Sequence, residues 1–125
     1  MGTRSTTKVL NLEGDNILSM YGQYDGYESG HGSALLEFIK SKPMVNGYSG
    51  DKQAFNGMGC LAAQLVSRFK GNETGGFYMV GAEQSEEYDY TVYAKGDYDN
   101  CKLFIKVEAY GETVFDGEIE SYNPQ

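Results

Sequence analysis

The sequence has no tryptophan, one histidine and two cysteines, and no apolar run long enough to cross a membrane. The N-terminus lacks the basic start and apolar stretch of a secretory signal, so we expect a cytoplasmic protein with no membrane partner. Cys60 and Cys101 give no disulfide framework, no paired spacing and no zinc signature. A reducing compartment fits them, with one buried disulfide as the alternative, and we expect neither a metal nor a cofactor.

Basic residues are also scarce, since ten Lys and Arg stand against 18 Asp and Glu and the net charge is −8. The imbalance lies in the second part of the chain, because residues 71–125 hold three basic and twelve acidic side chains. Non-specific binding to nucleic acid needs a dense basic surface. We therefore expect no long nucleic acid as a partner, whereas a small anion in a local pocket is compatible with this charge.

The strand pattern appears at both ends of the chain. Residues 6–12 and 16–24 are extended runs joined by a Glu-Gly-Asp turn, which predicts a hairpin. From residue 77 onward, apolar residues alternate with polar ones, which predicts an antiparallel meander of three or four strands. The length of 125 residues predicts a single domain that buries its own core.

Two helices are predicted between the hairpin and the meander. Residues 34–40 and about 60–70 carry apolar side chains at helical spacing, and residues 44–56 lack any sustained period, which predicts a surface loop. The expected fold is α+β, an antiparallel sheet made of the N-terminal hairpin and the C-terminal meander, with two helices packed on one face.

The bend at residues 21–33, YGQYDGYESGHGS, is the densest run of unusual chemistry in the chain. Glycines before a helix can let backbone amides converge on an anion at the positive helix end. The pattern predicts that Gly30, His31, Gly32 and Ser33 hold a phosphate, with Ser33 as the helix N-cap and a protonated His31 adding a charge-assisted hydrogen bond. The alternative is that the glycines only shape the turn.

Other candidate ligand residues flank this bend. The guanidinium of Arg4 suits bidentate contact with phosphate, and tyrosines near the bend, with Tyr48, suit stacking on a nucleobase. A second Gly-x-Gly step leads into the second helix in the same way. Strand packing and a homo-oligomer interface are the alternative role of the tyrosines. The candidate ligand-binding residues are Arg4, Ser5, Tyr24, Asp25, Tyr27, Gly30, His31, Gly32, Ser33, Gly57 and Gly59.

No catalytic residue is assigned from the sequence. Cys60 at a helix start and His31 are the nucleophile and base that a hydrolase would use. Nothing in the sequence brings the two together, and a small residue at a helix start is the simpler role of Cys60. Glu118 and Glu120 fall on one face of a predicted strand, where they would engage a partner protein or mimic DNA, and a solvated sheet face is the alternative.

Three stretches resemble a family of small uncharacterised bacteriophage proteins. They are the MGTRS start, the Y-x-Q-Y-D-G-Y-x-x-G-x-G motif with L-L-x-F after it, and NGMGCLAAQL at residues 56–65, so the resemblance covers most of residues 1–70. It implies an accessory protein in the cytoplasm of an infected bacterium, and one group of such proteins sequesters nucleotide signals of host defence.

The leading hypothesis is therefore a protein that binds a small phosphorylated ligand, a nucleotide, without chemistry. An acidic inhibitor or DNA mimic that engages a host defence protein is the first alternative. A nucleotide hydrolase using His31 or Cys60 is the second.

Overall fold

The computed structural model describes residues 2–45, 53–97 and 100–125, and these form one six-stranded sheet, one two-stranded sheet and two α-helices. A five-residue π-helix, Glu28–Gly32, precedes the first α-helix, and a short 3-10 helix, Ile119–Ser121, follows the last strand. The strands are β1 Ser5–Leu10, β2 Asn16–Gly22, β3 Met44–Val45, β4 Phe55–Asn56, β5 Phe77–Met79, β6 Tyr88–Asp97, β7 Asn100–Ala109 and β8 Glu112–Glu118; the helices are α1 Ser33–Lys40 and α2 Gly57–Lys70.

The six-stranded sheet has the order β5-β2-β1-β6-β7-β8. The predicted hairpin is β1–β2, and the predicted meander is β6–β7–β8. The α+β class is confirmed. A parallel pairing of β1 with β6, in which Thr7 lies opposite Tyr90, joins the two halves and was not predicted.

The core lies between one face of the sheet and the two helices. Val9 is opposite Leu18 in β2 and Val92 in β6, and Val92 is opposite Ile105 in β7, so one apolar row crosses four strands. The helices contribute buried side chains to the same cluster, among them Leu35, Phe38, Ile39, Leu61 and Leu65. Each such side chain contributes about 1.5–3 kcal/mol of hydrophobic stabilisation when it is fully buried.

Several predicted boundaries differ from the structure. The hairpin strands end at Leu10 and Gly22 instead of residues 12 and 24. The second helix begins at Gly57 instead of about residue 60, because the Gly-x-Gly step is part of its first turn. The predicted loop over 44–56 contains the short parallel pair β3–β4 at its ends. The rest of that loop, residues 46–52 with Tyr48, lies outside the described residues.

Candidate functional site

The predicted phosphate cradle is part of a continuous helical segment. The amide of Gly30 donates to the carbonyl of Tyr27 at 3.0 Å, that of His31 to the carbonyl of Asp25 at 2.8 Å, and that of Gly32 to Tyr27 at 3.4 Å. The Ser33 amide donates to Glu28 and Gly30. The amides of all four residues therefore already have acceptors inside the bend. The role of these residues in ligand binding stays a prediction.

Ser33 is not an N-cap, which corrects the expectation from the sequence. Its φ of −65° and ψ of −42° are helical, because the π-helix runs directly into α1. Its hydroxyl donates back to the carbonyl of Glu28 at 3.4 Å, one turn earlier. The positive end of the helical segment therefore lies near Glu28, and the Glu28 carboxylate occupies the position that favours negative charge.

The glycines of the bend allow close packing. A Cβ on Gly30 would lie 2.5 Å from the carbonyl oxygen of Asp25, and a Cβ on Gly32 would lie 3.1 Å from the Tyr122 hydroxyl. The bend is held further by the Tyr90 hydroxyl, which donates to the carbonyl of Gly26 at 2.7 Å. These contacts give the glycine pattern a structural role that needs no ligand.

His31 lies inside the protein, with 5% of its surface exposed. Its Nε2 is 2.6 Å from the Thr7 hydroxyl, and its ring meets the rings of Phe69 and Tyr90 edge-on, with centroids 4.9 and 5.3 Å away. Burial lowers the pKa of His31 to about 4, so the imidazole is neutral at pH 7. This environment therefore disfavours the protonated His31 that the sequence predicted as a partner of phosphate.

Cys60 does not pair with His31. The Cys60 sulfur lies 3.2 Å from the amide nitrogen of Gln64, one turn further along α2. Gly57, with a φ of +81°, and the exposed Gly59 form the first turn of the same helix. The base and the nucleophile of the hydrolase hypothesis thus have different surroundings. His31 lies among aromatic rings, and Cys60 lies beside the side-chain amide of Gln64.

Arg4 is held by two carboxylates. Its Nε lies 3.2 Å from Oε1 of Glu87 and 3.6 Å from Oε1 of Glu86, and its amide donates to the same Glu87 oxygen at 3.1 Å. The hydrogen bond with Glu87 raises the pKa of Arg4, and the backbone and side-chain hydrogen bonds from Arg4 lower the pKa of Glu87. A phosphate would have to compete with these carboxylates for the guanidinium. Ser5, next in sequence, is buried.

Arg4 and Tyr24 lie together, as the ligand site predicted from the sequence requires. They line a cavity of about 380 Å³ with Gly2, Tyr21 and Gln23. Tyr24 is 57% exposed and Tyr27 41% exposed. The Tyr27 hydroxyl donates to the Asp25 carboxylate at 3.4 Å, and Asp25 has a φ of 55°, in the left-handed region that Asp tolerates in turns.

A larger cavity, of about 610 Å³, lies between the end of α1 and the start of β7 and was not predicted from the sequence. We call it the lysine cavity, because Lys40, Lys42 and Lys102 line it. Its remaining walls are the side chains of Ile39, Met44, Cys101, Leu103, Glu118, Ile119 and Glu120. The Lys-Ser-Lys sequence at the end of α1 could have indicated an anion site, but the third lysine of the cavity, Lys102, lies sixty positions after Lys42.

The carboxylates of the lysine cavity correct another expectation. Strand β8 ends at Glu118, and Glu120 lies in the following 3-10 helix, so the two do not share a strand face by alternation. Glu118 pairs with Lys102 at 3.5 Å, and both side chains are largely exposed. An exposed pair of this kind contributes about 0–1 kcal/mol, so a competing anion can displace it at low cost.

Within the described residues, no group of three or more His, Cys, Asp or Glu side chains is arranged to hold a metal ion. None of the helices there is long and apolar enough to span a membrane. Comparison of the chain with models of protein families, with curated proteins and with solved structures found no match.

Proposed function

We propose that the protein binds a small phosphorylated ligand of nucleotide size in the lysine cavity and holds it without chemical change. The observation that carries this proposal is the convergence of three lysines on one cavity of about 610 Å³. Cavities of roughly 300–1,000 Å³ are typical of small-molecule sites. The proposal keeps the ligand class that the sequence suggested and moves its site away from the glycine bend.

The charges of the cavity favour an anion despite the helix end beside it. The C-terminus of α1 adjoins Lys40 and opposes a bound anion by about 0.3–1 kcal/mol. Three lysines against Glu118 and Glu120 leave the cavity walls with a formal charge of +1. Each contact between an exposed lysine and a phosphate contributes about 0.2–1 kcal/mol, so three of them together exceed the effect of the helix end.

The other walls suit the remainder of a nucleotide. Met44 and Leu103, both partly exposed, offer an apolar surface to a base. Glu118 and Glu120 are acceptors for ribose hydroxyls or base amino groups, which inorganic phosphate does not have. This mixture supports a nucleotide over a bare anion.

The resemblance to small phage proteins gives this binding a biological setting. In the cytoplasm of an infected bacterium, a protein that binds a nucleotide without turning it over would sequester a signal of host defence. Assembly into a homo-oligomer through tyrosine-rich surfaces belongs to the same proposal, and light scattering at the concentrations used for binding measures it.

Calorimetric titration with AMP, ADP-ribose and a cyclic dinucleotide tests the proposal. At least one should bind, and Lys40→Ala with Lys102→Ala should weaken binding tenfold or more. Arg4→Ala is the matched control, because Arg4 lines the other cavity. A folded protein that gives no heat with any of the three, or binding that Arg4→Ala abolishes and the lysine variants preserve, contradicts the proposal.

A second candidate function, inhibition of a host protein, rests on exposed tyrosines at one end of the sheet. Tyr110 is 70% exposed, and its amide donates to the carbonyl of Glu87, whose carboxylate holds Arg4. Tyr24 lines a cavity with Arg4, and we call the exposed Tyr110, Tyr24 and Tyr27 the tyrosine end. Tyrosine is enriched at protein interfaces, and the acidic pair Glu86 and Glu87 lies beside Arg4 at this end. The acidic-inhibitor hypothesis thus applies to this end better than to Glu118 and Glu120.

Capture of one defined host protein by wild type, lost in Tyr110→Ala and kept in Ile17→Ala, supports this second function. Ile17 is a fair control because it is 42% exposed and lies near the start of β2, at the end of the sheet opposite the tyrosine end. Equal loss in both variants, or in neither, argues against an interface at Tyr110.

A further inference from the structure

A further cavity, of about 340 Å³, opens between α1 and α2. Lys42 lines both this cavity and the lysine cavity, and its ammonium donates to the side-chain oxygen of Gln64 at 2.5 Å, on the α2 side. The further cavity offers the Arg68 guanidinium and the hydroxyls of Ser41 and Ser67 as donors, with Glu37 as its carboxylate. We call it the arginine groove. The two cavities thus lie on either side of Lys42.

Basic side chains are concentrated around these two cavities, where they stand against the carboxylates of Glu37, Glu118 and Glu120. Lys40, Lys42, Arg68 and Lys102 are four of the ten basic side chains in a protein of net charge −8. In the part of the chain that the structure describes, Arg68 has no carboxylate within ion-pair distance, unlike Arg4 with its two. The Arg68 guanidinium rests over the Phe69 ring, 5.3 Å from its centroid. Its charge is therefore available to a ligand.

We propose that the ligand carries two phosphates separated by a nucleoside, one bound in the lysine cavity and one at Arg68, with Lys42 between them. This inference rests on the proposed function and specifies its ligand class as a dinucleotide. A guanidinium binds a terminal phosphate through two parallel hydrogen bonds, which an ammonium does not. Ser41 and Ser67 add hydroxyl donors at the same end, and Glu37 accepts from a sugar hydroxyl.

The test compares AMP with the linear dinucleotide pApA by calorimetry, using wild type, Arg68→Ala and Arg4→Ala. Arg68 is exposed on α2, so its replacement leaves the core intact, and Arg4→Ala is matched because these are the two arginines of the chain. Wild type should bind pApA at least tenfold more tightly than AMP. Arg68→Ala should reduce that ratio to about one, and Arg4→Ala should retain the full ratio.

Equal affinity of wild type for AMP and pApA overturns the two-phosphate inference and leaves the lysine cavity as a mononucleotide site. A tenfold preference that survives Arg68→Ala overturns it as well, because the second phosphate then binds elsewhere. If neither probe binds, the inference fails, and the proposed function fails with it only when ADP-ribose and the cyclic dinucleotide also give no heat.

Discussion

The imidazole of His31 illustrates how far a residue's chemistry depends on its surroundings. In the sequence it is the single histidine, set between two glycines before a helix, where a cationic role was expected. In the fold it contacts one hydroxyl and several aromatic rings, and burial lowers its pKa to about 4. The same residue thus becomes part of the core and a source of acid sensitivity.

The stability of the protein should fall as the pH drops below 6.5. The unfolded histidine has a pKa of 6.5 and the folded one about 4, so the unfolded chain binds more protons between these values. The contribution of His31 to the free energy of unfolding is therefore largest well above pH 6.5. This free energy falls by about 2 kcal/mol between pH 7 and pH 5. Urea denaturation at pH 7 and pH 5 measures this loss.

Proton NMR of the same imidazole provides the control for that experiment. Because the chain has one histidine, its ring signals are unambiguous. A titration midpoint near 4 in the folded protein agrees with the burial of the ring. A midpoint near 6.5, with no loss of stability between pH 7 and pH 5, would show a solvated histidine and restore the cationic role.

The glycine-rich bend and the two helices show which features of a secondary-structure element can be predicted from the sequence. Periodicity placed α1 and most of α2, and alternation placed the hairpin and the meander, because both patterns reflect local geometry. The start of α2 was missed because Gly57–Cys60 resembles a flexible approach to a helix. The bend was ambiguous because glycine serves equally to free amides for a ligand and to let two backbones approach.

Alanine at two glycines separates these roles. Gly30→Ala should destabilise the protein by about 1–3 kcal/mol, because the new Cβ would lie 2.5 Å from the Asp25 carbonyl oxygen. Gly59→Ala meets nothing within 4 Å in the first turn of α2 and should change stability by less than about 1 kcal/mol, in the stabilising direction. Urea denaturation of both variants compares them directly.

Equal stability of Gly30→Ala and wild type, combined with loss of nucleotide binding, would contradict the structural role of the bend. That outcome would return Gly30 to the ligand site that the sequence predicted. We expect Gly59→Ala to bind nucleotide as tightly as wild type does. We expect the same of Gly30→Ala under conditions in which that variant is folded.

Long-range pairing decided the features of the whole molecule that the sequence left unpredicted. β1 and β6 pair in parallel although Ser5 and Tyr88 are 83 positions apart, and no local pattern encodes that register. The lysine cavity likewise depends on Lys40 and Lys102 meeting across the fold. The strongly acidic second part of the chain concealed it, because net charge describes the whole surface and a binding site depends on a few local charges.

Alkylation of the two cysteines by iodoacetamide, followed by mass spectrometry with and without saturating AMP, tests the lysine cavity most directly. Cys101 lines that cavity, whereas Cys60 lies at the start of α2, and both are partly exposed, so one protein carries both the reporter and its control. The ligand should slow alkylation of Cys101 tenfold or more and leave Cys60 unchanged. Unchanged alkylation of Cys101 at saturating ligand would contradict the site.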